Sequence, residues 1–281
     1  MIRVAHNQKI IKMQVKNLLK QTACLFLIML TPICKTSAAE VTVMISAGFY
    51  GVYQQLAPSF EKSTGHKLIT IRGPSIGDSP ESIPTRLGNG QLADVVILDG
   101  ESAENLARNG LVRADSIKTL ALSQIGAATK SNTTKPDISS VDAFKNALLA
   151  ATSIAYSDSG SGTYIANTMF KKLDIEEQVK AKSIKVRGPP SGEAVAAVVA
   201  RGEAELGFQQ VSEIIHTQGI TYLGPIPAAL QPGFSFAGAI TSNSQQEQIG
   251  TSLIRFLSSP EFSKVISEAG LTPFDKKFGP H

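Results

Sequence analysis

Two stretches decide how this chain is laid out: Ile125-Gly126-Ala127-Ala128-Thr129-Lys130-Ser131-Asn132 and Ala237-Gly238-Ala239-Ile240-Thr241-Ser242-Asn243. Each begins small, apolar and extended, then turns polar. They start about 110 residues apart, too far for neighbouring repeats of a solenoid. As a pair they read as crossover strands joining two lobes. Chance likeness between two buried strands is the alternative. The first reading places lobe I at residues 40–120 plus 234–281 and lobe II at residues 121–233.

Outward from this pair, short apolar runs alternate with helical patterns. Val41–Ile45, Lys67–Ile71 and Asp94–Leu98 read as strands of lobe I, with helices near Tyr50–Ser63 and through Leu106. Ser153–Tyr156, Ser183–Val186 and Glu205–Phe208 read as strands of lobe II, separated by helices near Tyr164–Leu173 and Glu193–Arg201. Gln246–Ala269 reads as two helices split near Pro260. Strand–helix alternation implies an α/β fold whose parallel sheets are covered by helices on both faces.

Of 281 residues, 42% are hydrophobic and 18% charged, which suits a globular chain with a sizeable core. The formal charge of +4 comes from the beginning of the chain. Residues 1–39 hold Arg3, Lys9, Lys12, Lys16, Lys20 and Lys35 and no acid; without them 21 bases face 23 acids. The remainder makes no electrostatic case for a nucleic-acid partner. A basic region ending at Lys20, the apolar run Ala23–Leu30 and the small residues Ser37-Ala38-Ala39 read as a secretory signal cleaved after Ala39. The expected product is a soluble periplasmic protein. Both cysteines, Cys24 and Cys34, fall in the leader, so thiol chemistry and cysteine metal ligands are not expected. His66 and His216 are too far apart in sequence to suggest a zinc site, and neither a metal nor an organic cofactor is expected.

In open parallel sheets, ligands gather beyond the carboxyl ends of the strands. Those positions here are Ser46–Tyr50, Arg72–Gly77, Asp99-Gly100, Ser157–Tyr164, Arg187–Glu193 and Gln209-Gln210. Most are short, Gly- and Ser-rich, and run into helix starts, where unpaired N–H groups and the helix dipole favour anions. Serine and glycine also cap helices for structural reasons alone, so convergence of several loops carries the signal. Arg72-Gly73-Pro74 and Arg187-Gly188-Pro189 put one arginine at a strand end in each lobe. Guanidinium groups bind carboxylates in bidentate fashion, so a facing pair would suit a polycarboxylate, whereas a surface ion pair is the plain alternative. Tyr50, Asp99, Asp158, Tyr164, Glu193 and Glu213 are acid–base candidates that the sequence does not rank. Walker A, Rossmann and serine-elbow patterns are absent.

Residues Val43–Ala47, Gly73-Pro74-Ser75-Ile76-Gly77, Ala93-Asp94-Val95-Val96-Ile97 and Arg201-Gly202-Glu203-Ala204-Glu205-Leu206-Gly207 resemble type II periplasmic solute-binding proteins, most closely the molybdate-binding branch. That resemblance implies a two-lobed fold with two hinge crossover strands and an oxyanion held in the cleft. It assigns ligand contacts to Ser46 and Ser75, and places second-lobe contacts around Ser159–Tyr164 and Ser191. The chain departs from that branch at Arg72 and Arg187, at Gln209-Gln210 and in an insertion near Asp78–Glu81. These departures favour a larger, more negative ligand with planar ends. They resemble the exported aconitate isomerases, which move a proton along an allylic system to interconvert cis- and trans-aconitate. The expected ligand set is Ser46, Arg72, Ser75, Ser159, Tyr164, Arg187, Ser191 and Gln209, in a monomer taking a small tricarboxylate. The alternative is the binding subunit of an ABC importer for molybdate, tungstate or a small carboxylate, with a permease as partner.

Overall fold

Strand β1 (Glu40–Ile45) shows why the sheets are buried on both faces. Val41, Val43 and Ile45 enter one apolar cluster, while Met44 enters the other. Strand β3 (Val95–Asp99) divides in the same way: Val95 and Ile97 go to one side, Val96 and Leu98 to the other. Successive side chains of a strand point to opposite faces, so a continuous apolar run needs helices on both. Helix α1 (Ala47–Thr64) covers the first face with Phe49, Val52, Tyr53, Leu56 and Phe60, at helical spacing. It stops where Gly65 adopts φ 76. Helices α2 (Ile83–Gly88) and α3 (Gly100–Arg108) cover the second face.

The architecture comes from a computed structural model that describes residues 38–274. The basic and apolar parts of the leader, with Cys24 and Cys34, lie outside the described residues, as does His281. The described part is two-lobed. With β2 (Lys67–Arg72), β4 (Lys118–Leu122), β10 (Ser235–Ile240) and β11 (Thr272–Pro273), lobe I builds a six-stranded sheet in the order β11-β4-β10-β3-β1-β2. Lobe II builds a five-stranded sheet, β7-β6-β8-β5-β9, from β5 (Ile125–Lys130), β6 (Ile154–Ser157), β7 (Ser183–Val186), β8 (Leu206–Gln210) and β9 (Ile220–Pro225). Helices α4 (Val141–Ala150) and α7 (Val195–Arg201) pack on its opposite faces.

The two sheets are mixed rather than wholly parallel. β1 pairs in parallel with β2 and β3, and β6 with β7 and β8. β10 runs antiparallel to β3 and β4, and β5 antiparallel to β8 and β9. The cause is where the chain changes lobes. Ser123-Gln124 carries it from β4 to β5, and residues 226–234 carry it back from β9 to β10. β5 and β10 therefore start at the boundary and run away from it, against strands that run towards it. The stretch from Ile125 opens immediately after the first crossing, and the stretch from Ala237 lies within β10, two residues past its start.

Ser123 N–H donates to Phe234 C=O at 2.8 Å, tying the crossings together. Gln231 adds to this: its Oε1 accepts from Ile125 N–H at 3.0 Å and its Nε2 donates to Ile125 C=O at 2.9 Å. The helical segment expected at Tyr164–Leu173 starts earlier, as α5 (Gly160–Tyr164), continues through a π-helical turn at Ile165–Met169 into Phe170–Lys172, and is followed by α6 (Glu176–Lys180). The tail divides into α9 (Glu247–Leu257) and α10 (Ser263–Glu268) around Pro260.

Candidate functional site

Strand register brings the loops together. Ile45 lies beside Arg72 and Ile97, so Ser46, Gly73–Ser75 and Asp99 emerge at one level. Ser157 lies beside Val186, and Tyr156 beside Phe208, so Asp158-Ser159, Gly188-Pro189 and Gln209-Gln210 emerge at the facing level. These residues line one interlobe cleft, whose wall includes Phe236 and, from α8 (Val211–Ile214), Glu213.

The lobe I wall offers donors. Ser46 precedes α1, and its side chain makes no capping hydrogen bond. Its Oγ is buried and has no hydrogen-bond partner among the described residues. The first N–H groups of an eighteen-residue helix lie next to it, at the positive end of the dipole. Ser75 Oγ accepts from Asp99 N–H at 3.1 Å, which leaves its own proton to donate. Arg72 stands beside the cleft with its guanidinium 4.3 Å from the Tyr50 ring centroid, a cation–π contact. Its Nε is buried and unpartnered among the described residues. A buried donor without an acceptor is costly, so Ser46 and Arg72 together mark a place for an anion.

The lobe II wall is a hydroxyl and amide network. Ser157 Oγ lies 2.7 Å from Ser159 Oγ and 3.3 Å from Ser161 Oγ. Gly162 lets α5 sit on the end of β6: a Cβ there would fall 1.6 Å from Ser157 C=O. Gln209 is buried, with Oε1 accepting from Val195 N–H at 2.9 Å and Nε2 donating to Glu213 at 2.7 Å. Gln210 Oε1 accepts from Ser123 at the crossing.

Three carboxyls border the cleft. Asp99 Oδ1 accepts from Glu101 N–H at 3.1 Å and Ser102 N–H at 3.3 Å, capping α3; burial raises its pKa and those two donors oppose the rise. Asp158 Oδ1 accepts from Gly188 N–H at 3.0 Å. Glu213 is pushed up to about 7, chiefly by burial, against the Gln209 hydrogen bond and the charge of Arg72. A cleft with anion donors and a carboxyl that titrates near neutrality can hold a carboxylate and move a proton.

A family model for bacterial extracellular solute-binding proteins matches residues 41–272. The chain belongs to that family. An aconitate isomerase of a Pseudomonas species is 41% identical over 233 residues, 83% of this chain and 87% of that protein. The molybdate-binding protein ModA of Azotobacter vinelandii is 27% identical over 256 residues, 84% of this chain and 91% of that one. Among solved structures, the periplasmic molybdate-binding protein of Azotobacter vinelandii matches with a TM-score of 0.66 at 21% identity, covering 84% of this chain and all of that chain. This is the two-lobed fold of the type II periplasmic binding proteins.

In this solute-binding protein the eight expected ligand residues divide. Ser46, Ser75, Ser159 and Gln209 line the cleft. Arg72 stands beside it, within reach of the charge of Glu213. Tyr164 lines a second cavity next to α3, and its hydroxyl donates to Leu230 C=O at 2.7 Å. Arg187 and Ser191 sit at the rim, where both engage Glu81 of lobe I; the Arg187–Glu81 pair measures 3.4 Å. The facing arginine pair is thus asymmetric, because a carboxylate of the chain itself already occupies the second member. Among the other acid–base candidates, Glu193 is held by Arg201 through two 2.7 Å hydrogen bonds. Among the described residues no cluster of His, Cys, Asp and Glu is built to hold a metal ion.

Proposed function

We propose that this protein is an exported isomerase that interconverts cis- and trans-aconitate by an allylic proton shift. The observation that carries the reading is a cleft lined by the buried, unpartnered Ser46 Oγ and by Glu213, whose carboxyl is pushed up to about 7, with the buried, unpartnered Arg72 Nε beside it. The 41% identity to an aconitate isomerase along 83% of the chain supports it.

Arg72 binds one substrate carboxylate, and Ser46, Ser75 and Ser159 donate to the others together with the start of α1. Withdrawing electron density through a held carboxylate acidifies the neighbouring methylene. The charge released on deprotonation spreads over the conjugated carboxylates, where fixed donors stabilise it without reorganising. Closing the lobes excludes water and fixes the planar allylic system against the base. Arg187 and Ser191, at the rim, engage the far end of the substrate after exchanging Glu81 for it. The signal segment sends the protein to the periplasm.

A second reading, favoured by the family and by the ModA relative, is a carboxylate or oxyanion receptor for an ABC importer. Proton NMR of the purified protein with trans-aconitate in D₂O separates the two. Growth of cis-aconitate signals is the expected result. An unchanged spectrum with a line-broadened ligand leaves the receptor.

A further inference from the structure

The cleft has three carboxyls, and their surroundings differ in kind. Asp99 is committed to capping α3 and Asp158 to the Gly188 loop. Glu213 receives its hydrogen bond from one side-chain amide, and that amide cannot turn over. Gln209 Oε1 is occupied by Val195 N–H, so only its NH₂ can face Glu213. The carboxyl is thus held as an acceptor, in place, at the edge of the cavity where lobe II meets the donors of lobe I.

Its charged and titratable surroundings are sparse. Arg72 at the end of β2 is the cation whose charge reaches it. Asp99 and Asp158 line the same cleft from β3 and β6, and Tyr50 of α1 lies under Arg72. On α7 the ionisable Arg201 is bound by Glu193 and Glu203, and on its own side of the chain His216 contacts Glu268 C=O at 3.1 Å. β5 carries Lys130 at the end away from the cleft, and β8 adds no ionisable side chain.

We propose that Glu213 is the catalytic acid–base of the cleft, which takes the proton from the methylene carbon of aconitate and returns it to the other end of the allylic system; this rests on the isomerase reading. The Glu213 carboxylate accepts the methylene proton. The C–H electron pair becomes the new C=C bond, and the old π pair moves to the former vinylic carbon and its carboxylate. The neutral Glu213 carboxyl then donates its proton to that carbon. The double bond has moved by one carbon, Glu213 is a carboxylate again, and nothing is oxidised or reduced. Gln209 is a positioning residue: its amide holds Glu213 in line through both halves of the step. The near-neutral titration of Glu213 suits a group that must both accept and donate at the working pH.

The test uses the purified protein and its Glu213→Gln variant, with trans-aconitate turnover followed by NMR and binding by calorimetry. We expect kcat to fall at least about 100-fold, the scale of general acid–base catalysis, with trans-aconitate affinity retained. In the parent, kcat/KM is expected to fall as the pH drops through about 7, since the protonated carboxyl cannot accept. A parent that isomerises while Glu213→Gln loses less than that overturns the assignment. So does a variant that loses binding along with turnover, which would make Glu213 a binding contact. If Glu213→Gln does not fold, Glu213→Asp is read instead by its pH profile, and a limb that stays in place overturns the proposal. A parent that leaves trans-aconitate unchanged removes the isomerase reading itself, a result distinct from an active parent with an active variant.

Discussion

Asp94 holds the start of lobe I together through hydrogen bonds that its own short motif cannot reveal. Its carboxylate accepts from Thr42 N–H at 2.9 Å, Ser244 Oγ at 3.0 Å, Gln245 N–H at 2.9 Å and Gln246 N–H at 3.1 Å. It therefore joins β1 to the entry of α9. Asp94→Ala removes the acceptor of several part-buried donors at once and is expected to lower stability by about 1–3 kcal/mol, read as a lower urea midpoint with an unchanged slope. Beside the cleft, Arg72→Ala is expected on the isomerase proposal to weaken trans-aconitate binding by about 10- to 100-fold, the value of a lost charge-assisted hydrogen bond, measured by calorimetry. Ser46, Ser75, Ser159 and Gln209 are legible as cleft residues because strand ends can be read from apolar runs. Glu213 can be named from the sequence but not ranked, since its desolvation depends on packing between segments far apart in the chain. Arg187 is legible as a strand-end arginine, but nothing local shows that Glu81, 106 residues earlier, reaches it.

Elements with one strong signal are readable, and those built by context are not. β1 and β3 are apolar runs, and α1 buries an unbroken helical stripe. β4 and β9 mix polar with apolar residues, and β9 is the outer strand of its sheet, so half-burial blurs their pattern. The direction of β5 and β10 has no local signal either, because it follows from which side of the boundary the chain enters. Helix α5 depends on a close approach: Gly162 lies against the backbone of Ser157. Gly162→Ala is expected to push α5 off the strand end and cost about 1–3 kcal/mol, the usual range for overpacking, checked by denaturation. Because Ser159 sits at that helix start, the same variant is expected to bind trans-aconitate more weakly.

For the molecule as a whole, contacts on either side of the cleft hold the lobes against each other. Ser212 Oγ donates to Gly48 C=O at 2.8 Å, and Glu81 engages Arg187 and Ser191. The Ser191 hydroxyl first, and Arg187 second, hold the Glu81 carboxyl below the ordinary carboxylate range. A lowered pKa means the contact favours the closed arrangement at neutral pH and is lost as the pH falls through the lowered value. It is exposed and sensitive to salt, so it biases closure without locking it. Glu81→Ala is expected to enlarge the radius of gyration of the ligand-free protein in small-angle scattering, with saturating ligand restoring the smaller value. An identical curve for parent and variant would assign the closed state to the Ser212 side alone.

β10 occupies an inner slot of its sheet, between β3 and β4. A ribosome makes β3 and β4 long before it makes β10, and the whole of lobe II comes between them. Until residues 235–240 are synthesised, the first lobe carries a gap with a row of unpaired backbone groups on each side. Lobe II has all five of its strands by Pro225 and can finish first. The lobe begun first is then the one completed last. A nascent chain stopped at Phe234 would consist of a finished insert within an unfinished host, with both edges of the open slot free to pair with another chain.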